Sequence, residues 1–152
     1  MKRLIGSTVA VLGLAAGSLL VATPAQASAP CDAFYRDTAR SGFMYAWNLP
    51  HCSGLMGGTQ GNDANWGDSS GAFTNNETNN AESVMNKGTG SSYHIVRFYD
   101  YTAHSADNGY GCLSPGELYA DDLRDNKLHD GGPAANSISS HNWVSSCSWW
   151  VD

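Results

Sequence analysis

Two short polar stretches of the sequence carry residue types that could bind a cation. The first contains Asn80, Glu82 and Ser83, and the second contains Asn136 and Ser139. Amide, carboxylate and hydroxyl oxygens are the hard ligands that Ca²⁺ prefers, about six to eight of them in one site. Short polar side chains can also bond nearby backbone groups and stabilise a tight turn. The sequence therefore leaves a weak calcium site and a purely structural turn as alternatives.

The histidines and carboxylates do not form a recognisable catalytic set. The five histidines are scattered, and none forms the HExxH pair of a helix-borne zinc site. The acidic residues Asp121, Asp122 and Asp125 are typical of a solvated surface rather than a pair that acts as acid and base. We therefore expect no enzymatic activity, and no cofactor other than weakly bound calcium.

The N-terminal 27 residues have the pattern of a secretory signal peptide. Lys2 and Arg3 form a basic start, an apolar run follows, and Ala25-Gln26-Ala27 matches the small-x-small pattern of a cleavage site. Glycines and serines dilute the apolar run, which favours a cleaved signal over a membrane anchor. We expect cleavage before Ser28 and extracellular localisation of residues 28–152.

The exported part has the length of one domain and an acidic balance. Without Lys2 and Arg3 it carries 6 Lys and Arg against 14 Asp and Glu, a net charge of −8. Nucleic acids and anionic membranes both require a basic surface. We therefore expect neither as a partner, and we expect a monomer.

All four cysteines lie in the exported part, at positions 31, 52, 112 and 147. An even number of cysteines in an exported chain predicts two disulfides, for which sequence alone allows three pairings. Cys31–Cys52 with Cys112–Cys147 is preferred because it closes the shorter loops.

Aromatic residues and turn-forming residues predominate over helix formers, which predicts short strands. In residues 42–49, Phe43, Tyr45, Trp47 and Leu49 alternate with smaller side chains, as expected of a half-buried strand. Further strands are predicted at 82–86, 93–101 and 136–144, whereas 116–123 fits either a strand or a single helical turn. Residues 52–71 and 107–116 are rich in turn residues.

The predicted elements repeat. Residues 42–87 and 93–143 each begin with an aromatic strand, continue through a glycine-rich stretch with one cysteine, and end in an Asn-x-x-Ser turn and a strand. Repeats of this size with four short strands predict two Greek keys that pack face to face.

Several of these pieces carry a family resemblance: "YAWNLPHCSG", "NNAESVMNKG", "VRFYDY", "GCLSPGELYADDL" and "NSISSHNW". Their order resembles the βγ-crystallin fold and, more narrowly, the secreted actinobacterial proteins of peptidase inhibitor family I36. The resemblance implies an all-β, disulfide-braced sandwich of two Greek keys. It also implies inhibition of a secreted protease by a rigid surface loop, with metalloproteases as the class to test, and turns of pattern (Asn/Asp)-(Asn/Asp)-x-x-(Ser/Thr)-Ser. The alternative function is that of a non-enzymatic, crystallin-like binding or structural module that binds calcium weakly.

Both turns depart from that pattern. Aligned on it, the first turn covers residues 79–84 and ends in Val84, while the second covers 135–140 and begins with Ala135. Neither has an Asp at the leading positions, which predicts weak calcium binding at best. For inhibition, the predicted surface loop is 102–115. Its candidate contact residues are His104, Asp107, Tyr110, Cys112 and Leu113.

Overall fold

In the part of the chain that the structure describes, seven strands form two antiparallel sheets. The computed structural model describes residues 28–75, 77–90 and 92–151, so the predicted signal peptide lies outside the described part. One sheet has the order β2-β1-β3-β6 and the other the order β5-β4-β7. The strands are β1 Met44–Leu49, β2 Ser53–Thr59, β3 Ser83–Asn86, β4 Ile95–Tyr99, β5 Tyr110–Leu113, β6 Tyr119–Ala120 and β7 Ser140–Val144.

Each repeat contributes backbone to the sheet of the other. Strand β6, from the second repeat, pairs with β3 of the first through Val84 and Ala120. In the opposite direction, Asp63 of the first repeat forms a two-bond bridge with His141 in β7. The fold is therefore an all-β sandwich of two Greek keys whose third segments are exchanged, which confirms the predicted architecture.

The main core contains buried side chains of both sheets. Met44, Ala46 and Val84 come from one sheet, and Val96 and Phe98 from the other. The other large side chains of this core are Trp66, Phe73, Leu113, Leu123, Leu128, Ile138 and Val151. The predicted alternation in the first strand is therefore correct: Met44 and Ala46 face the sandwich core, and Tyr45 and Trp47 face outward.

A helix that the sequence did not reveal covers the aromatic face of β1. Helix α1, Ala29–Asp37, has Pro in its first turn and covers the outer face of β1. The Phe34 ring meets the rings of Tyr45 and Trp47 edge-on, with centroids 5.0 Å apart in each pair. Because α1 covers this face, residues 44–47 of β1 are buried on both sides, whereas Asn48 and Leu49 are exposed. The prediction of a half-buried strand was therefore wrong for residues 44–47.

Strands β2 and β5 arise from stretches that were predicted as turns, and glycine explains the error for β2. A side-chain carbon on Gly58 would lie 2.2 Å from the Tyr45 ring, and one on Gly57 would lie 2.8 Å from the Ala72 carbonyl oxygen. Glycine at these positions lets neighbouring groups lie directly against a strand. The ambiguous stretch 116–123 forms β6 and leads into the short 3₁₀ helix Leu123–Asp125.

The disulfides have the preferred pairing, Cys31–Cys52 and Cys112–Cys147. The first disulfide links α1 to the turn between β1 and β2. The second holds the C-terminal segment, which extends the edge of β5: the Cys112 N–H donates to the Trp149 carbonyl and the Val151 N–H to the Cys112 carbonyl. Among residues 28–151, leaving aside 76 and 91, no helix is long and apolar enough to cross a membrane.

Candidate functional site

A buried serine holds the hairpin between β1 and β2. The Ser83 hydroxyl donates to the Leu49 carbonyl at 2.8 Å and accepts from the Cys52 N–H at 3.2 Å. His51 and Cys52 both have left-handed backbone, with φ of 57° and 54°. Such conformations are unfavourable for residues other than glycine. The two hydrogen bonds of Ser83 stabilise the turn in which His51 and Cys52 adopt them.

Ser140 has the same role in the second repeat. Its hydroxyl donates to the Tyr101 carbonyl at 2.6 Å and accepts from the His104 N–H at 3.3 Å. Ala103 and His104 are both left-handed, each with φ 57°. Ser140 is therefore the structural counterpart of Ser83.

This equivalence corrects the alignment of the two turns. The sequence alignment matched Ser83 with Ser139, whereas the structure matches Ser83 with Ser140, so residues 79–83 correspond to 136–140. The first turn was placed one residue too late. Periodicity could not reveal this, because Ser139 and Ser140 are adjacent and only the hairpin bonds distinguish them.

The two turns lie against each other with twofold-related contacts. The Asn79 N–H donates to the Ile138 carbonyl, and the Asn136 N–H donates to the Ala81 carbonyl, both at 2.8 Å. Asn79 and Asn136 both have φ 56°. Asparagine tolerates this conformation better than most residues, which accounts for its presence at both positions.

Side chains join the turns at two equivalent places, which we call clasps. In the Asn79–Ser139 clasp, the serine hydroxyl donates to the asparagine Oδ1 at 2.9 Å. In the Glu82–Asn136 clasp, the asparagine Nδ2 donates to the glutamate Oε1, also at 2.9 Å. Asn79 was missed as a functional candidate because its partner lies 60 residues away in the chain.

The predicted calcium ligands separate into three groups in the structure. Ser83 is fully buried and its hydroxyl is occupied by the hairpin bonds. Asn80 lies exposed on the surface, outside both clasps. Glu82, Asn136 and Ser139 lie in the clasps.

Only the Glu82–Asn136 clasp contains an anionic oxygen, so the Asn79–Ser139 clasp does not fit a calcium ion, whereas the Glu82–Asn136 clasp fits one in part. Within the described residues, no group of three or more His, Cys, Asp and Glu side chains is suitably placed for a metal.

The predicted inhibitory loop is shorter than the sequence indicated. Residues 110–113 form β5, Tyr110 is half-buried, and Cys112 and Leu113 are completely buried. The prediction of a surface loop was therefore wrong for these three residues, because β5 pairs with β4 and its side chains enter the core. His104 is half-buried and Asp107 is exposed, in the segment 102–109 that remains a loop.

The segment 67–71, GDSSG, has the Gly-x-Ser-x-Gly pattern of a nucleophile elbow. Such an elbow places its serine on a sharp turn between a strand and a helix. Here the segment is an exposed stretch of turns and bends that leads into irregular structure at 72–75, and the Ser70 N–H donates to the Asp68 carboxylate at 2.7 Å. The pattern therefore lacks the structural context of a catalytic serine.

One ionisable group, His141, is buried at the centre of the sandwich. Its Nδ1 accepts from the Trp66 indole N–H at 2.9 Å, so the ring proton is on Nε2, which lies 3.0 Å from the Gly61 carbonyl oxygen. Burial lowers the pKa of His141 from 6.5 to about 4. Because the neutral ring satisfies both bonds, His141 is a structural residue rather than a proton donor.

Comparison with known proteins identifies the architecture. A βγ-crystallin structure determined in connection with the evolution of the eye-lens domain fold superposes with a TM-score of 0.51, at 14% identity over 72% of this chain and 91% of that one. The fold is that of a βγ-crystallin domain. A βγ-crystallin from an archaeon has a TM-score of 0.47 and 21% identity, over 69% of this chain and the whole of that one.

No protein-family model and no curated protein sequence matches the chain. The likeness to the βγ-crystallins concerns fold alone at these identities. A function for this domain is therefore inferred from its own clasps and hairpin serines.

Proposed function

We propose that the exported chain is a non-enzymatic βγ-crystallin module that binds Ca²⁺ weakly at the Glu82–Asn136 clasp. The observation that carries this proposal is the Glu82 carboxylate, which lies 2.9 Å from the Asn136 amide across the contact between the two turns. Rotation of that amide by half a turn presents its oxygen in place of its nitrogen. Carboxylate and amide oxygens then face the same space.

Weak affinity follows from the charge of the clasp. Glu82 is its one carboxylate, and the positive charge of Arg124 is close enough to interact with it. Calcium sites with few anionic ligands in extracellular modules have dissociation constants of about 0.1–1 mM. We expect a value in this range, which is suited to calcium outside cells.

Thermal unfolding with and without calcium tests the proposal. With a dissociation constant of about 0.1–1 mM, about 10 mM Ca²⁺ should add roughly 1.4–2.7 kcal/mol of stability and raise Tm by several degrees. Glu82→Gln keeps a carbonyl oxygen for Asn136 but removes the charge, so it should abolish the calcium effect and leave Tm without calcium nearly unchanged. Glu117→Gln, at an exposed position, is the matched control. An unchanged calcium response in Glu82→Gln would contradict the proposal.

Protease inhibition, which the sequence resemblance implies, has weaker support. An inhibitory loop binds best when it is preorganised in an extended, substrate-like form. The segment 102–109 is instead folded into two successive turns, in which the Ser105 N–H donates to the Thr102 carbonyl and the Gly109 N–H to the Ala106 carbonyl. Titration of a thermolysin-type and a subtilisin-type protease tests the hypothesis. Stoichiometric inhibition by nanomolar protein would establish protease inhibition as the principal function. No inhibition at about 10 µM would rule out the inhibition hypothesis.

A further inference from the structure

A surface pocket lies between the two repeats, away from the clasps. It has a volume of about 290 Å³, near the lower limit for small-molecule sites. The lining residues are Gly42, Gln60, Gly88, Thr89, Tyr93 and Trp143. We propose that this pocket binds one uncharged pyranose residue of a saccharide.

The chemistry of the lining matches that ligand. Tyr93 and Trp143 supply aromatic rings, which pack well against the C–H face of a sugar ring. Gln60 contributes an amide that both donates and accepts, and Thr89 contributes a hydroxyl. None of the six lining residues is charged, so an anionic or cationic ligand would lack a counter-charge from this lining.

Tyr93 has two properties that are consistent with a binding role. Its side chain is 68% exposed, so its ring contributes little to the core. Its backbone is left-handed, with φ 53°, which is unfavourable for a bulky residue. Strain of this kind is concentrated at functional sites, and at Tyr93 it holds an aromatic ring at the edge of a pocket.

Two glycines give the pocket its shape. A side-chain carbon on Gly88 would lie 2.7 Å from the Trp143 ring, and one on Gly42 would lie 3.1 Å from the Gln60 amide nitrogen. A larger residue at position 88 would displace Trp143, and one at position 42 would crowd the Gln60 amide. The indole N–H of Trp143, a residue that lines the pocket, is buried and has no hydrogen-bond partner within the described residues.

The exposed pair Trp149 and Trp150 is a poorer candidate for sugar stacking. Trp149 donates its indole N–H to the Lys127 carbonyl at 2.7 Å. The backbone of both residues extends the edge of β5 beside Cys112. This pair therefore closes the edge of the sandwich.

Nuclear magnetic resonance of the purified protein tests the proposal. The probes are uncharged trisaccharides of glucose, N-acetylglucosamine, galactose, mannose and xylose, each added to about 10 mM. At least one should shift the Trp143 indole resonance in a saturable manner, with a dissociation constant on the order of 1 mM for a site that contacts one sugar ring.

Three variants locate the site. Tyr93→Ala and Tyr93→Gly should each weaken binding at least tenfold, and Tyr93→Gly should keep or raise Tm because glycine relieves the left-handed backbone. Tyr101→Ala, which removes a tyrosine that is 49% exposed outside this pocket, should bind as the unmodified protein does. The proposal is overturned if none of the five sugars shifts the Trp143 signal, or if both Tyr93 variants bind within twofold of the unmodified protein.

Discussion

The indole N–H of Trp66 donates to Nδ1 of His141 at 2.9 Å, and both side chains are completely buried. Trp66 belongs to the first repeat and His141 to the second, so the bond joins the two Greek keys inside their shared core. The Trp66 ring also stacks on Phe73, with centroids 4.1 Å apart. A polar bond thereby sets the relative position of two otherwise apolar surfaces.

This burial makes stability depend on pH. The pKa of His141 is lowered from 6.5 to about 4, so between these values the unfolded chain binds a proton that the folded protein does not. The contribution of neutral His141 to the free energy of unfolding should be fully present above pH 6.5 and should decrease as the pH falls toward 4. The total decrease should be on the order of 3 kcal/mol. Urea unfolding from pH 4 to pH 8 measures this decrease. His141→Gln keeps an acceptor for Trp66 and should have a smaller slope between pH 4 and 6.5; an equal slope would assign the effect to other groups.

Removal of the Ser83 hydroxyl should destabilise the first hairpin. Ser83→Ala leaves the Cys52 N–H and the Leu49 carbonyl without their bonds, at a cost of about 1–3 kcal/mol. Ser140→Ala should have a similar effect in the second repeat. Chemical denaturation measures both, with Ser69→Ala at an exposed position as the control, expected within about 0.5 kcal/mol of the unmodified protein. A loss for Ser83→Ala no larger than that of the control would refute the role given to the hydroxyl.

Asn79 combines a clasp with left-handed backbone, and two substitutions separate these contributions. Asn79→Gly removes the hydrogen bond to Ser139, and glycine adopts the φ of 56° without strain. Asn79→Ala removes the same bond and adds backbone strain. The alanine variant should therefore be about 1 kcal/mol less stable than the glycine variant. Equal unfolding free energies would mean that the turn relaxes away from this conformation.

The Cys31–Cys52 disulfide should be required for helix α1 to stay docked. The helix has nine residues, too few to be stable in isolation. Replacement of both cysteines by alanine should cost about 3 kcal/mol and lower Tm by roughly 10 °C. Hydrogen exchange should show the amides of residues 29–37 losing protection before those of the two sheets. Simultaneous exchange of helix and sheets would show instead that packing of Phe34 suffices.

Much of the architecture follows from local sequence patterns. The alternation in 42–49 identifies β1, and the aromatic run at 93–101 identifies β4, because side chains on a strand point to opposite faces in turn. The repeated Asn-x-x-Ser pattern identifies two related units. Sequence separation also favours the disulfide pairing that the structure contains.

The sequence by itself thus determined the all-β class, the two repeats and the residues of the turns. Tertiary structure alone decided which side chains of those turns meet. Asn79 reaches Ser139 and Glu82 reaches Asn136 only because the repeats are related by a twofold arrangement, and the chain between them is too long for spacing to indicate contact. Likewise, the sequence pattern predicts turns at the glycines of β2, whereas in the folded protein Gly58 makes room for the Tyr45 ring. Local patterns report the conformation of one segment, whereas a site depends on contacts between distant segments, which packing of the whole core determines.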